Sequence, residues 1–312
     1  MNFLSKSVAC LILGLSAILT AGNINLADIN SQALWFAHFD IEKFNDSYLR
    51  KLADENGLAD KCEKVNKFLD IDPTESINSV TLYCVSGNPE QAAVIMKGSF
   101  DVDKLSKIAS KQPEYTETIY NKITIASWKS FRNTTKSGCF YDANTLIMSK
   151  SKDSIKNAID TISGTSPSLS GSNCITSDNS IFQLFLTDAS TLSKQDPHLV
   201  VLNNVGKSLF SVGQKDDDMF CELIVQADTD ENTKLLNQMI QGMIAMGKMN
   251  AKDKNSQLML NALDKMSVST LDKNVITTAV LSTGEFDSLI KKIISDRMLS
   301  KIYEQIPEKG HI

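Results

Sequence analysis

Four stretches of this chain share one grammar: "VIMKGSFDVDKLSKI" (94–108), "LIMSKSKDSIKNAI" (146–159), "LIVQADTDENTKLL" (223–236) and "AVLSTGEFDSLIKKI" (279–293). In each, a short apolar run with β-branched residues stops at Ser, Thr or Asp, and Leu or Ile then recurs every three to four residues. The run reads as a strand and the recurrence as an amphipathic helix. A short polar side chain at the junction accepts a backbone N–H bond, and acidic residues suit the first helical turn. Each stretch is therefore a strand feeding directly into a helix.

The spacing adds a second constraint. Val94 and Leu223 lie 129 residues apart, and Ile147 and Val280 lie 133 apart. "SVTLYCVSGN" (79–88) sits over "SLFSVGQKDD" (208–217) at the same offset of 129. "ALWFAHFD" (33–40) parallels "IFQLFLTD" (181–188) at 148, so the first half carries extra residues after its opening strand. These fall within 41–76, where "YLRKLADENGLADKCEKVNKFL" reads as two short helices hinged at Gly57. Ordered matches at nearly constant offsets predict a tandem duplication of one α+β unit. Strands joined by hairpins such as "SGNPEQ" (86–91), "GQKDDDM" (213–219) and "LDKN" (271–274) predict antiparallel sheets, with helices covering one face. The second hairpin of each half is expected near 118–149 and 266–283. The layout is a first repeat over 30–163, a Ser/Gly-rich linker over 164–179 and a second repeat over 180–312.

Before the first repeat, Lys6 is followed by the apolar run "SVACLILGLSAILTAG" (7–22), the length and charge pattern of an export signal. Ala21, Gly22 and Ala27 offer cleavage positions, so the signal spans 1–22 and extends at most to 27, and an uncut signal would serve as an N-terminal anchor. No other stretch is apolar for long enough to span a bilayer, and a periplasmic or secreted location is expected. The formal charge is −5, and −6 once Lys6 leaves with the signal. With no Lys/Arg cluster outside helical faces, neither nucleic acid nor an anionic membrane is the expected partner.

Beyond the signal stand Cys62, Cys84, Cys139, Cys174 and Cys221, an odd and scattered set without C-x-x-C. They read as buried thiols rather than a disulfide framework. Cys62 in particular falls at helical spacing with Leu58, Val65 and Leu69.

Candidate sites are few. Met239, Met243, Met246 and Met249 lie at intervals of 4, 3 and 3, one stripe of a helix. Such a stripe ordinarily packs in a core or interface; the sharper readings are an adaptable apolar binding face and a thioether site for soft copper. Asp70-x-Asp72-x-Thr74 has the outline of a phosphatase motif. That chemistry needs a buried parallel strand, whereas the preceding "KCEKVNKFL" has helical periodicity and Pro73 marks a turn. His38 and Asp40 share a strand face, with no nucleophile elbow to accompany them, and His198 and His311 stand alone. "KDDDM" (215–219) lacks the alternation of a calcium loop and reads as a solvated hairpin tip. Trp35, Phe36, Phe39 and Trp128 read as core. No catalytic set, metal set or cofactor cradle emerges.

The opening strand running into "DIEKF" (40–44), "GSFDVDKL" (98–105) and the closing "STGEFDSLIKKI" (282–293) resembles a loose group of uncharacterised exported bacterial proteins built from duplicated α+β units. The resemblance spans nearly the whole chain after the signal and implies the architecture, without catalytic residues to carry over. The expected function is that of an exported, non-enzymatic binding or envelope-structural protein. The alternatives are a carrier of an apolar ligand on the Met-rich helix, and a hydrolase whose site is assembled from distant residues such as His38.

Overall fold

The computed structural model describes residues 24–69, 71–130, 133–172, 174–177, 179–188, 205–250 and 257–292. The export signal, Asp70, His198 and His311 lie outside these residues. The fold is α+β, and its paired strands run antiparallel. The chain divides into two units, one up to Val212 and one from Gly213 onward.

The first unit is built on β1 (Trp35–Asp40), which pairs with β2 (Ile77–Cys84) on one side and β8 (Ser180–Leu186) on the other. Beyond β2 follow β3 (Ala93–Gly98), β7 (Thr145–Ser149), β6 (Thr135–Asp142), β5 (Ile123–Lys129) and β4 (Thr116–Tyr120). Beyond β8 lies β9 (Val205–Lys215).

β1 alternates by face, as pleating requires. Phe39 points to a cluster that holds Val80, Leu82, Val94 and Met96 from the sheet. Ile41 and Phe44 of α1 (Ile41–Asn45), Leu49 and Ala53 of α2 (Tyr48–Glu55), and Leu58 and Cys62 of α3 (Leu58–Leu69) close over it. The helices within 41–69 are thus the cover of this face, followed by the short α4 (Pro73–Ser76).

The opposite face carries Phe36 stacked on Phe185 at 5.1 Å, with Tyr83 next to Phe36 across the β1–β2 pair. α6 (Lys152–Ile162) lies on this side: the Tyr83 hydroxyl donates to Asn157 Oδ1, and Ile155 and Ile159 are fully buried. α5 (Val102–Ala109) follows β3 and buries no residue fully.

The helix starts follow the chemistry read from the sequence. Asp40, Asp101 and Ser151 each accept an N–H bond from the first turn of the helix they precede. The region 118–149 departs from the single expected hairpin: it forms two, β4–β5 and β6–β7. β4 turns into β5 through Asn121 and Lys122, both at positive φ, as a two-residue turn matched to strand twist demands. Within the stretch read as a linker, Pro167–Leu169 contacts the segment before β1: Leu169 N–H donates to Ile29 O and Ser31 N–H to Pro167 O.

In the second unit, β10 (Asp218–Ala227) pairs with β12 (Asn274–Ser282), and β12 with β11 (Met266–Leu271). Within the "KDDDM" stretch, residues 215–218 are the exposed tip joining β9 to β10, with Asp216 at positive φ, whereas Met219 is fully buried. Val275, Ala279 and Leu281 form the buried face of β12. α7 (Asp230–Asn250) and α8 (Gln257–Asp264) follow β10, and helical residues 283–292 follow β12.

Candidate functional site

Among the described residues, two places hold side chains that packing alone does not require. The first lies on the Phe36 face of β1. One step along that strand the apolar row gives way to His38, flanked by Thr81 on β2 and Gln183 on β8. These are 2%, 7% and 3% exposed, and a buried polar group persists only where it is hydrogen-bonded. His38 Nδ1 lies 2.9 Å from Thr81 Oγ1. The Gln183 amide clamps the chain before β8, accepting from Ser177 N–H at 3.1 Å and donating to Ser177 O at 2.8 Å. The Ser180 hydroxyl donates to the same carbonyl at 2.7 Å.

The next residue on this face, Asp40, is also buried. Its Oδ1 accepts the Lys43 N–H at 3.1 Å, and its Oδ2 meets Lys43 Nζ at 3.1 Å. Residues 24–28 cross above, anchored by an ion pair between Asp28 and Lys97 and by Asn25 Nδ2 donating to Asp28 Oδ1. Here lies a partly open cavity of about 150 Å³, lined by His38, Asp40, Lys43, Gln183, Ser177 and Leu26 among others. The sequence singled out His38 and Asp40 as sharing a face. It offered no sign of Gln183 or Ser177, which reach the site only because β8 pairs with β1 across nearly 150 residues of chain.

The second place is α7. Its inward side holds Thr233 and Leu236, both buried, and Gly247, where a Cβ would sit 3.0 Å from Leu263 of α8. Met239 is half-buried. Met243, Met246 and Met249 are 62%, 64% and 66% exposed, and Leu235 is 56% exposed. The expectation that the stripe packs in a core therefore fails for three of its four members. Helical spacing reports which residues share a face and is silent on whether the fold covers that face. Single exposed apolar residues are ordinary, whereas contiguous exposed apolar patches are more common at interaction sites.

The remaining candidates take structural roles. Asp72 caps α4: its Oδ1 accepts from both the N–H and the hydroxyl of Thr74, at 2.8 and 2.7 Å. The five cysteines are free thiols. Burial pushes Cys139 up to about 12 and Cys174 and Cys221 up to about 11, so none of these three is a ready thiolate. Burial also raises Cys62, with the Asp72 charge adding to it. Among the described residues, no group of three His, Cys, Asp or Glu side chains is placed to hold a metal ion. Among the same residues, no helix is long and apolar enough to cross a membrane.

Among the described residues, fold and sites together describe an antiparallel α+β protein with a partly open cavity of mixed polar and apolar lining and a row of exposed methionines. No family model matches the chain, and no curated protein matches it. Similar solved structures include crystal forms of TP0453. Form III is 12% identical with a TM-score of 0.46, covering 86% of this chain and 98% of that one. Form IV is 14% identical with a TM-score of 0.49, covering 86% and 97%. At these values no property of TP0453 is carried over.

Proposed function

We propose that the protein is exported and acts without catalysis, as a binding protein that docks the methionine face of α7 into an apolar groove on a partner protein. The observation that carries this is the exposure of Met243, Met246 and Met249 on one side of a 21-residue helix. Unbranched thioether side chains adapt to an irregular apolar surface, and an amphipathic helix in a groove is a recurrent mode of recognition. From Leu235 to Gly247 the helix bears no charged residue. A helix lying on an anionic membrane carries a basic polar face, and Lys234 and Lys248 alone do not supply one. The face is also a helix exterior rather than a concavity, which suits a groove-bearing protein better than a small apolar ligand. His38 lies beneath the 24–28 segment and the Asp40 carboxylate is engaged by Lys43, which weighs against hydrolysis there.

The export reading rests on the Lys6 and apolar-run pattern of residues 1–22. The copied-module reading draws support from the order of elements. β1, β2, β3 and β7 receive the segments that match β8, β9, β10 and β12, and helices follow β3, β7, β10 and β12 alike. β3 is flanked by β7, and β7 by β6; β10 is likewise flanked by β12, and β12 by β11.

A photo-crosslinking residue at position 246, expressed in cells, tests the binding reading. One discrete protein adduct that vanishes when Met243→Asp is added is the expected result. Cross-linking to lipid alone, or no adduct from a folded protein, overturns it.

A further inference from the structure

We propose that the cavity above His38 is a binding site for a small, uncharged, polyhydroxylated molecule. The site belongs to the first unit and is independent of the methionine face. Three observations carry the proposal.

The first is where the polarity sits. β1 is flanked by strands on both sides, and its neighbours in the adjacent row of this face are Phe36, Tyr83 and Phe185. Apolar side chains at positions 38, 81 and 183 would satisfy such a sheet at no hydrogen-bonding cost. Instead His38, Thr81 and Gln183 line up across three strands, with Asp40 and Ser79 in the row beyond.

The second is preorganisation. Gln183 and Ser180 both hold Ser177, so the covering backbone is set by buried side chains on the adjacent strand. On the other side Asp28, paired with Lys97, holds residues 24–28 in place. A cavity whose cover is fixed in advance costs little to fill.

The third is charge. Among the described residues, the carboxylate and the ammonium lining the cavity are those of Asp40 and Lys43, and they answer one another: one Asp40 oxygen takes the Lys43 N–H and the other its ammonium. A charged ligand would be desolvated there without a counter-charge. An uncharged ligand that both donates and accepts hydrogen bonds is matched by Thr176 and Ser177, with the Ser180 hydroxyl left to accept because its proton goes to Ser177 O, while Leu26 and Ile24 offer apolar wall to its C–H groups. The volume of about 150 Å³ holds a ligand of about six heavy atoms, the size of a three-carbon polyol.

The test uses glycerol as probe, with acetate and ethylammonium as charged probes of comparable size, titrated against the full chain. The readout is the Gln183 side-chain amide and the Ile24 methyl resonances in NMR spectra. Glycerol is expected to shift both saturably in the millimolar range, with neither charged probe doing so. Leu26→Trp, which fills the cavity without removing a polar group, should abolish the response. The double variant Thr176→Val/Ser177→Ala should weaken it about tenfold, as loss of roughly one good hydrogen bond does. No saturable shift in a protein with a native spectrum would mean that the cavity holds solvent only, and the proposal falls. It falls equally if acetate or ethylammonium saturates the same resonances at the same concentrations, or if Leu26→Trp still binds glycerol.

Discussion

Gly98 ends β3 at the point where β2 is irregular, and a Cβ at this position would run into the backbone of Ser76, Ile77 and Asn78. Backbone atoms cannot rotate aside, so Gly98→Ala must displace the chain. A loss of about 2 kcal/mol or more is expected, read as a lower urea midpoint at unchanged m-value. Glu285 is set by a different force. Lys265 Nζ at 2.6 Å, the Ser282 hydroxyl at 2.8 Å and the Ser282 N–H at 2.9 Å all donate to its Oε2 and hold its carboxyl down at about 2. A depressed carboxyl contributes stability that is present above its unfolded value near 4.5 and is lost as the pH falls through about 2. Carboxyl-detected NMR should place this titration near pH 2, and Lys265→Met should move it upward. The thiols give a third residue-scale outcome. With Cys139 near 12 and Cys174 and Cys221 near 11, an aromatic disulfide reagent at pH 8 should react slowly until urea unfolds the chain.

Among the elements, the starts of helices were legible because capping is local. The Ser282-x-x-Glu285 pair forms a reciprocal capping box before helical residues 283–292. Ser282→Ala should cost about 1 kcal/mol, measured by chemical denaturation. The β4–β5 hairpin was not legible. Its turn is Asn-Lys rather than a glycine pair, and β4 itself is "TETIY", largely exposed and without the apolar alternation that marks a half-buried strand. On α7 the periodicity of the methionines identified one face correctly and misjudged its surroundings. Met243→Asp and Met246→Asp should therefore change stability by no more than about 0.5 kcal/mol, the range for exposed positions. If the stripe were buried, the same substitutions would unfold the protein, so a thermal melt separates the two cases.

At the level of the molecule, β1 has hydrogen-bonded neighbours on both sides, an apolar helical cover on one face and the 24–28 segment over part of the other. Its amides from Phe36 to Phe39 should be among the slowest to exchange with deuterium. Those of the edge strand β4 should be among the fastest. Pattern along the chain dictated the strand-then-helix grammar, the antiparallel class, the helix caps and the shared face of His38 and Asp40, because periodicity and capping act over a few residues. Packing decided which faces are covered, that Pro167–Leu169 is held against residues 29–31, and that Gln183 stands beside His38 and holds Ser177. Those outcomes depend on pairing between segments far apart in the chain, where the free energy belongs to the assembled sheet and no short stretch carries it.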